Sequence, residues 1–127
     1  MQERRKFIRY DIEASMALKM DDDPHRIIKG DLTNIGFRGM SAQLTERIPE
    51  GIIVSFELTT KLYDKSIIGK GKIMYIKEVK WHDVNIFRIG IEFVHIDNDA
   101  IKYIIARLQE NICAEARKKG QSKRYSF

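Results

Sequence analysis

Two short segments hold the residues whose types and spacing could do chemistry. The first is Arg4-Arg5-Lys6-Phe7-Ile8-Arg9, in which four cations precede the first apolar alternation of the chain. Concentrated positive charge of this kind can grip a small anion or an acidic partner. The second is Asp31-Leu32-Thr33-Asn34-Ile35-Gly36, which sets a carboxylate and a hydroxyl two residues apart and ends on a glycine able to take φ > 0 or to admit a ligand to the backbone. Each has a plain counterpart, a solvated basic tail for the first and an ordinary turn for the second. Their order and context carry more than either does alone.

Other chemistries find less support. The glycine-rich pieces, Gly30 to Gly39 and Gly69 to Gly71, lack the Gly-Lys-Ser/Thr of a phosphate-binding loop. His25, His82 and His95 are scattered, with none at helical i, i+4 spacing, so no metal site and no cofactor are expected. No nucleophile elbow is present, and Asp11, Glu13 and Asp31 read as surface partners of nearby cations. The expectation is not an enzyme. Cys113 stands alone, which rules out an internal disulfide and suits a reducing, cytoplasmic setting. No apolar run approaches the roughly 20 residues of a membrane-spanning helix, and residues 1–9 lack the pattern of a secretory signal.

The net charge of +5 suggests an anionic partner until it is divided along the chain. Residues 1–9 carry four basic groups and one acidic, and residues 117–127 carry five basic and none acidic, so the ends hold +8. The body between them, with 14 basic and 17 acidic residues, is −3. Such a body makes a poor polyanion surface, so nucleic acid is not expected as a partner.

The elements that must position these segments follow from periodicity. Ile12, Ala14, Met16, Leu18 and Met20 alternate as a half-buried strand, and Asp21-Asp22-Asp23-Pro24 predicts a hairpin turn. A second strand follows at Ile27 and Ile28, then a loop-like stretch from Gly30 to Gly36. Met40, Ala42 and Leu44 predict a third strand, and Val54, Phe56 and Leu58 a fourth. From Ile67 to Trp81 a longer strand is expected to bend at Gly69 and Gly71. Phe87, Ile89, Ile91 and Phe93 form the last strand. Six strands in series predict a closed barrel. At Asp97 the period changes to 3.6, and Ile101, Ile104, Ile105, Leu108 and Ile112 share one stripe of an amphipathic helix with Cys113 at its flank. Gly120 offers its stop, leaving a mobile basic tail over residues 118–127. The domain reading is a flexible arm at 1–10, a barrel plus helix at 11–117, and that tail.

Arg5 and Arg9 form R-x-x-x-R ahead of the first strand, and Asp31, Thr33 and Gly36 form D-x-T-x-x-G after the second. In this order, with Ile89-Gly90-Ile91-Glu92-Phe93 and a helix to close, the chain resembles the PilZ domain family across the whole barrel. The family's second motif usually has Ser where this chain has Thr33, which keeps the hydroxyl and adds a methyl. The resemblance implies a mainly β fold, a six-stranded antiparallel barrel with a C-terminal helix. It also implies binding of cyclic di-GMP, a bacterial second messenger, with relay to an unidentified downstream protein.

Arginine suits that ligand, because its guanidinium can pair with guanine O6 and N7, stack on a base or clamp a phosphate. In extended chain Arg5 and Arg9 stand about 13 Å apart, enough to embrace a dinucleotide. The resemblance assigns guanine N1–H and N2 to Asp31, a hydroxyl bond to Thr33 and close loop approach to Gly36. Arg4, directly ahead of the motif, implies an intercalated ligand dimer. Tyr75, and after it Trp81, are candidates to stack on an exposed guanine. The expected switch is ordering of the arm when phosphates neutralise it. The alternative is a ligand-independent adaptor of the same fold.

Overall fold

The structure, a computed structural model, describes residues 8–125, with side chains through residue 114. Six strands run in chain order, β1 (Tyr10–Met20), β2 (Asp23–Ile35), β3 (Gly39–Leu44), β4 (Ile53–Thr60), β5 (Tyr63–Trp81) and β6 (Val84–His95), followed by helix α1 (Asn98–Tyr125). Every pairing is antiparallel, and the order β1-β2-β3-β6-β5-β4 closes on itself through β4 and β1. The expected barrel therefore forms, with β3 to β6 and β1 to β4 as its two non-sequential neighbours.

Alternation dictates the core. Met16, Leu18, Leu32, Met40, Ala42, Val54, Phe56, Ile73, Ile89 and Ile91 are buried inside the barrel, and residues between them face outward. Gly69 and Gly71 face inward beside Phe56: a Cβ at Gly69 would stand 2.8 Å from the Phe56 ring and 2.7 Å from the His95 carbonyl oxygen. The expected irregularity of β5 is present as register shifts at Lys70/Gly71 and at Ile73/Tyr75.

Three boundaries differ from the sequence expectation. Asp21 and Asp22 alone make the first turn, and Asp23 pairs with Met20, so Pro24 lies inside β2 near its start, where a missing N–H is tolerated. The stretch Gly30 to Ile35 is strand and not loop. It looked irregular because Thr33 is an extra residue there: Leu32 faces Ala42 and Asn34 faces Ser41, leaving Thr33 unpaired as a bulge. Third, α1 continues to Tyr125, past the Gly120 expected to end it and through the segment from 118 expected to be a tail. A single interior glycine costs a helix only about 1 kcal/mol and does not forbid it.

The start of α1 is capped as its sequence suggests. Asp97 Oδ1 accepts from the amides of Asp99 (3.0 Å) and Ala100 (3.3 Å). Ala100, Ile101, Ile104, Ile105 and Leu108 join the barrel core at the end where β1 and β5 begin. The buried stripe stops there. Ile112, over a cleft beside the start of β1, is half exposed, and Cys113 is exposed.

Candidate ligand-binding site

β1 begins at Tyr10, so Arg9 enters at the rim of the barrel beside the end of β2. Its guanidinium Nη1 donates to Asn34 Oδ1 at 3.2 Å and to Ser41 Oγ at 3.0 Å, bridging β2 and β3. Ser41 points away from the core yet is buried, consistent with Arg9 lying over it. The segment between β2 and β3 completes the cradle. Gly36 N–H donates to the Gly39 carbonyl at 2.8 Å, and a Cβ on Gly36 would stand 2.9 Å from the Ile8 carbonyl oxygen and 3.5 Å from Arg9 Cγ. A Cβ on Gly39 would stand 3.3 Å from Arg9 Nη2. Gly36 lets the N-terminal segment cross the turn at a distance a side chain would forbid, whereas at Gly39 a side chain would collide first with the Ile91 carbonyl of β6.

The structure thus brings Arg9 and Gly36 together, and Gly36 accommodates the chain's own arm. Thr33, half-buried at the bulge, lines a cleft of about 620 Å³ with Arg9, Asp11, Leu108, Asn111 and Ile112. Asp31 is exposed two residues earlier, facing Ser15 and Gln43 across the ladders. It lines an adjoining space of about 790 Å³ that shares Asp11, Glu13 and Asn111 with the first. Arg4 and Arg5 lie outside the described residues. The walls of these clefts hold more carboxylates than cations, so affinity for an anion depends on what the arginine segment contributes.

Sequence reasoning missed Asn34 and Ser41. Asn34 sits inside the second motif and could have been weighed as a partner for an arginine. Ser41 gave no local signal, since only strand pairing places it opposite Asn34. The row continues Asn34, Ser41, Gly90, Tyr75 across four strands. Tyr75 packs its ring over Gly90 and remains 43% exposed, so one face is open beside the Arg9 anchor. Trp81 lies six residues further along β5, about 20 Å away at strand rise, and is not part of this site. Among the described residues no group of three His, Cys, Asp or Glu could hold a metal ion, and no helix is long and apolar enough to cross a membrane.

Solved structures share this architecture. The PilZ domain with c-di-GMP of YcgR from Escherichia coli is 20% identical, with a TM-score of 0.70 over 94% of this chain and 98% of that one. The MrkH-c-di-GMP complex of K. pneumonia is 13% identical, with a TM-score of 0.72 over 92% of this chain and 56% of that one. The Bacillus subtilis inhibitor of motility MotI/DgrA is 18% identical, with a TM-score of 0.66 over 87% and 53%. This chain therefore spans about half the length of the two larger proteins. At these identities the likeness is one of fold. No curated protein matches the sequence. The model of the PilZ domain family matches residues 3–110, which take in the whole barrel and the first half of α1, and the chain belongs to that family.

Proposed function

We propose that the protein is a receptor for cyclic di-GMP, bound on the outer face of the barrel at the junction of β1, β2 and β3. The observation that carries this reading is the bridge from Arg9 to Asn34 and Ser41, which fixes one arginine of R-x-x-x-R against the strand bearing Asp31 and Thr33. A guanidinium so held is a planar cation fixed in place, ready to meet a guanine edge or a phosphate without a further search of rotamers. Arg5 supplies the second arm of the clamp, Asp31 accepts from guanine N1–H and N2, and Thr33 adds a hydroxyl bond. Gly36 keeps the arm and the second motif in contact. Arg4 favours two intercalated ligands per chain. Tyr75, open on the same row, is the candidate for a stacked guanine.

The output is ordering of the arm on the barrel, read by a partner protein. Isothermal titration with cyclic di-GMP tests the reading, with GMP and cyclic di-AMP as controls. Saturable heat is expected for the first ligand only, near two per chain, and none for Arg5→Ala/Arg9→Ala. Absence of binding at physiological salt would overturn the receptor reading and leave a ligand-independent adaptor of the same fold.

A further inference from the structure

β5 and β6 outlast the barrel that they help to close. β4 accompanies β5 only to Lys72, and β3 accompanies β6 only from Phe87 to Glu92, whereas β5 and β6 pair with each other out to Trp81 and Val84. The projecting ribbon is turned by His82 and Asp83, at φ 48° and 65°. Two consecutive left-handed residues make the tight turn that suits the twist of a two-stranded ribbon.

Its two faces differ. On the inner face Arg47 lies over the Phe87 ring, 5.6 Å from its centroid, and reaches Glu78 at 3.5 Å, so the segment between β3 and β4 covers it. The outer face carries Val79 opposite Ile86 and Trp81 opposite Val84, an unbroken apolar patch. Trp81 is 63% exposed and Val84 50%. In the next row Lys77 stands directly opposite Arg88. Two cations facing each other destabilise an antiparallel pair, and among the described residues neither joins a salt bridge.

We propose that this outer face docks a protein partner whose contact segment presents apolar side chains flanked by carboxylates. An exposed tryptophan beside aliphatic neighbours has the composition of an interface anchor, and the unpaired Lys77 and Arg88 select the sign of the flanking charge. The chain's own ends do not fit, since both are basic. A second copy stacked row on row would set the cation pair against its own symmetry mate. An anionic membrane gains little: residues 77–88 carry Lys77, Lys80 and Arg88 against Glu78 and Asp83, a net +1, where each cation near such a surface contributes about 1 kcal/mol. Asp83, at the tip, would meet that surface first. The inference does not rest on the ligand reading.

Trp81 is the only tryptophan, so its fluorescence reports on this patch alone. The full chain is titrated with a synthetic peptide of leucines flanked by glutamates, with its leucine–lysine counterpart, and with phosphatidylserine vesicles. A saturable shift of Trp81 emission to shorter wavelength is expected with the glutamate peptide only. Val84→Glu and, separately, Arg88→Glu each weaken it by about tenfold or more through like-charge contact, with the thermal midpoint of both variants checked for an intact fold. No shift with the glutamate peptide, an equal shift with the lysine peptide, a shift with vesicles alone, or an undiminished response in both folded variants overturns the proposal.

Discussion

Arg9 is the residue on which the candidate site turns, because its side chain touches two strands while its backbone belongs to the arm. Arg9→Lys keeps the charge but replaces the planar guanidinium, whose Nη1 alone holds Asn34 and Ser41, with one ammonium nitrogen that cannot hold that pair and also pair with a guanine edge. Cyclic di-GMP should bind this variant about tenfold more weakly or worse, the scale of one lost charge-assisted hydrogen bond, measured by titration calorimetry. Gly36 makes the complementary case. The methyl of Gly36→Ala would meet the Ile8 carbonyl oxygen at 2.9 Å, so the arm must lift away while the barrel core is untouched. Affinity should fall and the thermal midpoint stay within about 2 °C, a change of under ~0.5 kcal/mol for a chain of this size. A lowered midpoint with affinity intact would show that Gly36 serves the fold and not the arm. Thr33 sits on a bulge that already departs from ladder geometry, so Thr33→Ser should leave stability within about 0.5 kcal/mol.

At the scale of elements, β5 is held by what its glycines leave out. Gly69→Ala drives a methyl against the Phe56 ring and the His95 carbonyl, both fixed in the barrel wall, and should cost about 1–3 kcal/mol in urea denaturation. Gly90→Ala instead meets the Tyr75 ring, which is half exposed and can swing outward. It should cost clearly less, and an equal cost would mean that the Tyr75–Gly90 contact is as rigid as the core. The same elements mark how far the sequence could be read. Alternation in β1 and β4 and the stripe from Ile101 to Leu108 were legible because one face of each is buried and the other wet. The end of β2 was not, since the bulge at Thr33 breaks the period of two just where Asp31 and Gly36 carry the motif. Ile112 kept helical spacing but faces the open cleft beside Arg9 and Thr33, where it stays half exposed. The resemblance to the PilZ motifs marked Arg9, Asp31 and Gly36 as candidates, but the Asn34 and Ser41 anchors depend on which strands become neighbours, and nothing local encodes that.

For the molecule as a whole, charge and linkage decide between a selective receptor and a general anion binder. The ends carry +8 and the body −3, so an unselective polyanion would be held by the ends alone and released by salt. Binding through six or more neutralised phosphates loses about 10³–10⁵ in affinity between 50 and 200 mM salt. A cyclic dinucleotide has two phosphates and is held also by base contacts, so its affinity should fall far less over that range. The folded state should gain from the ligand in proportion. At a hundredfold excess over its dissociation constant a ligand that binds only the native chain adds about 2.7 kcal/mol, which for a domain of this size raises the midpoint by about 10 °C. Cyclic di-GMP should produce that rise at both salt concentrations, and Arg5→Ala/Arg9→Ala should abolish it. Single-stranded DNA that raised the midpoint as much at low salt and not at high salt would instead point to the ends acting as a plain cationic surface.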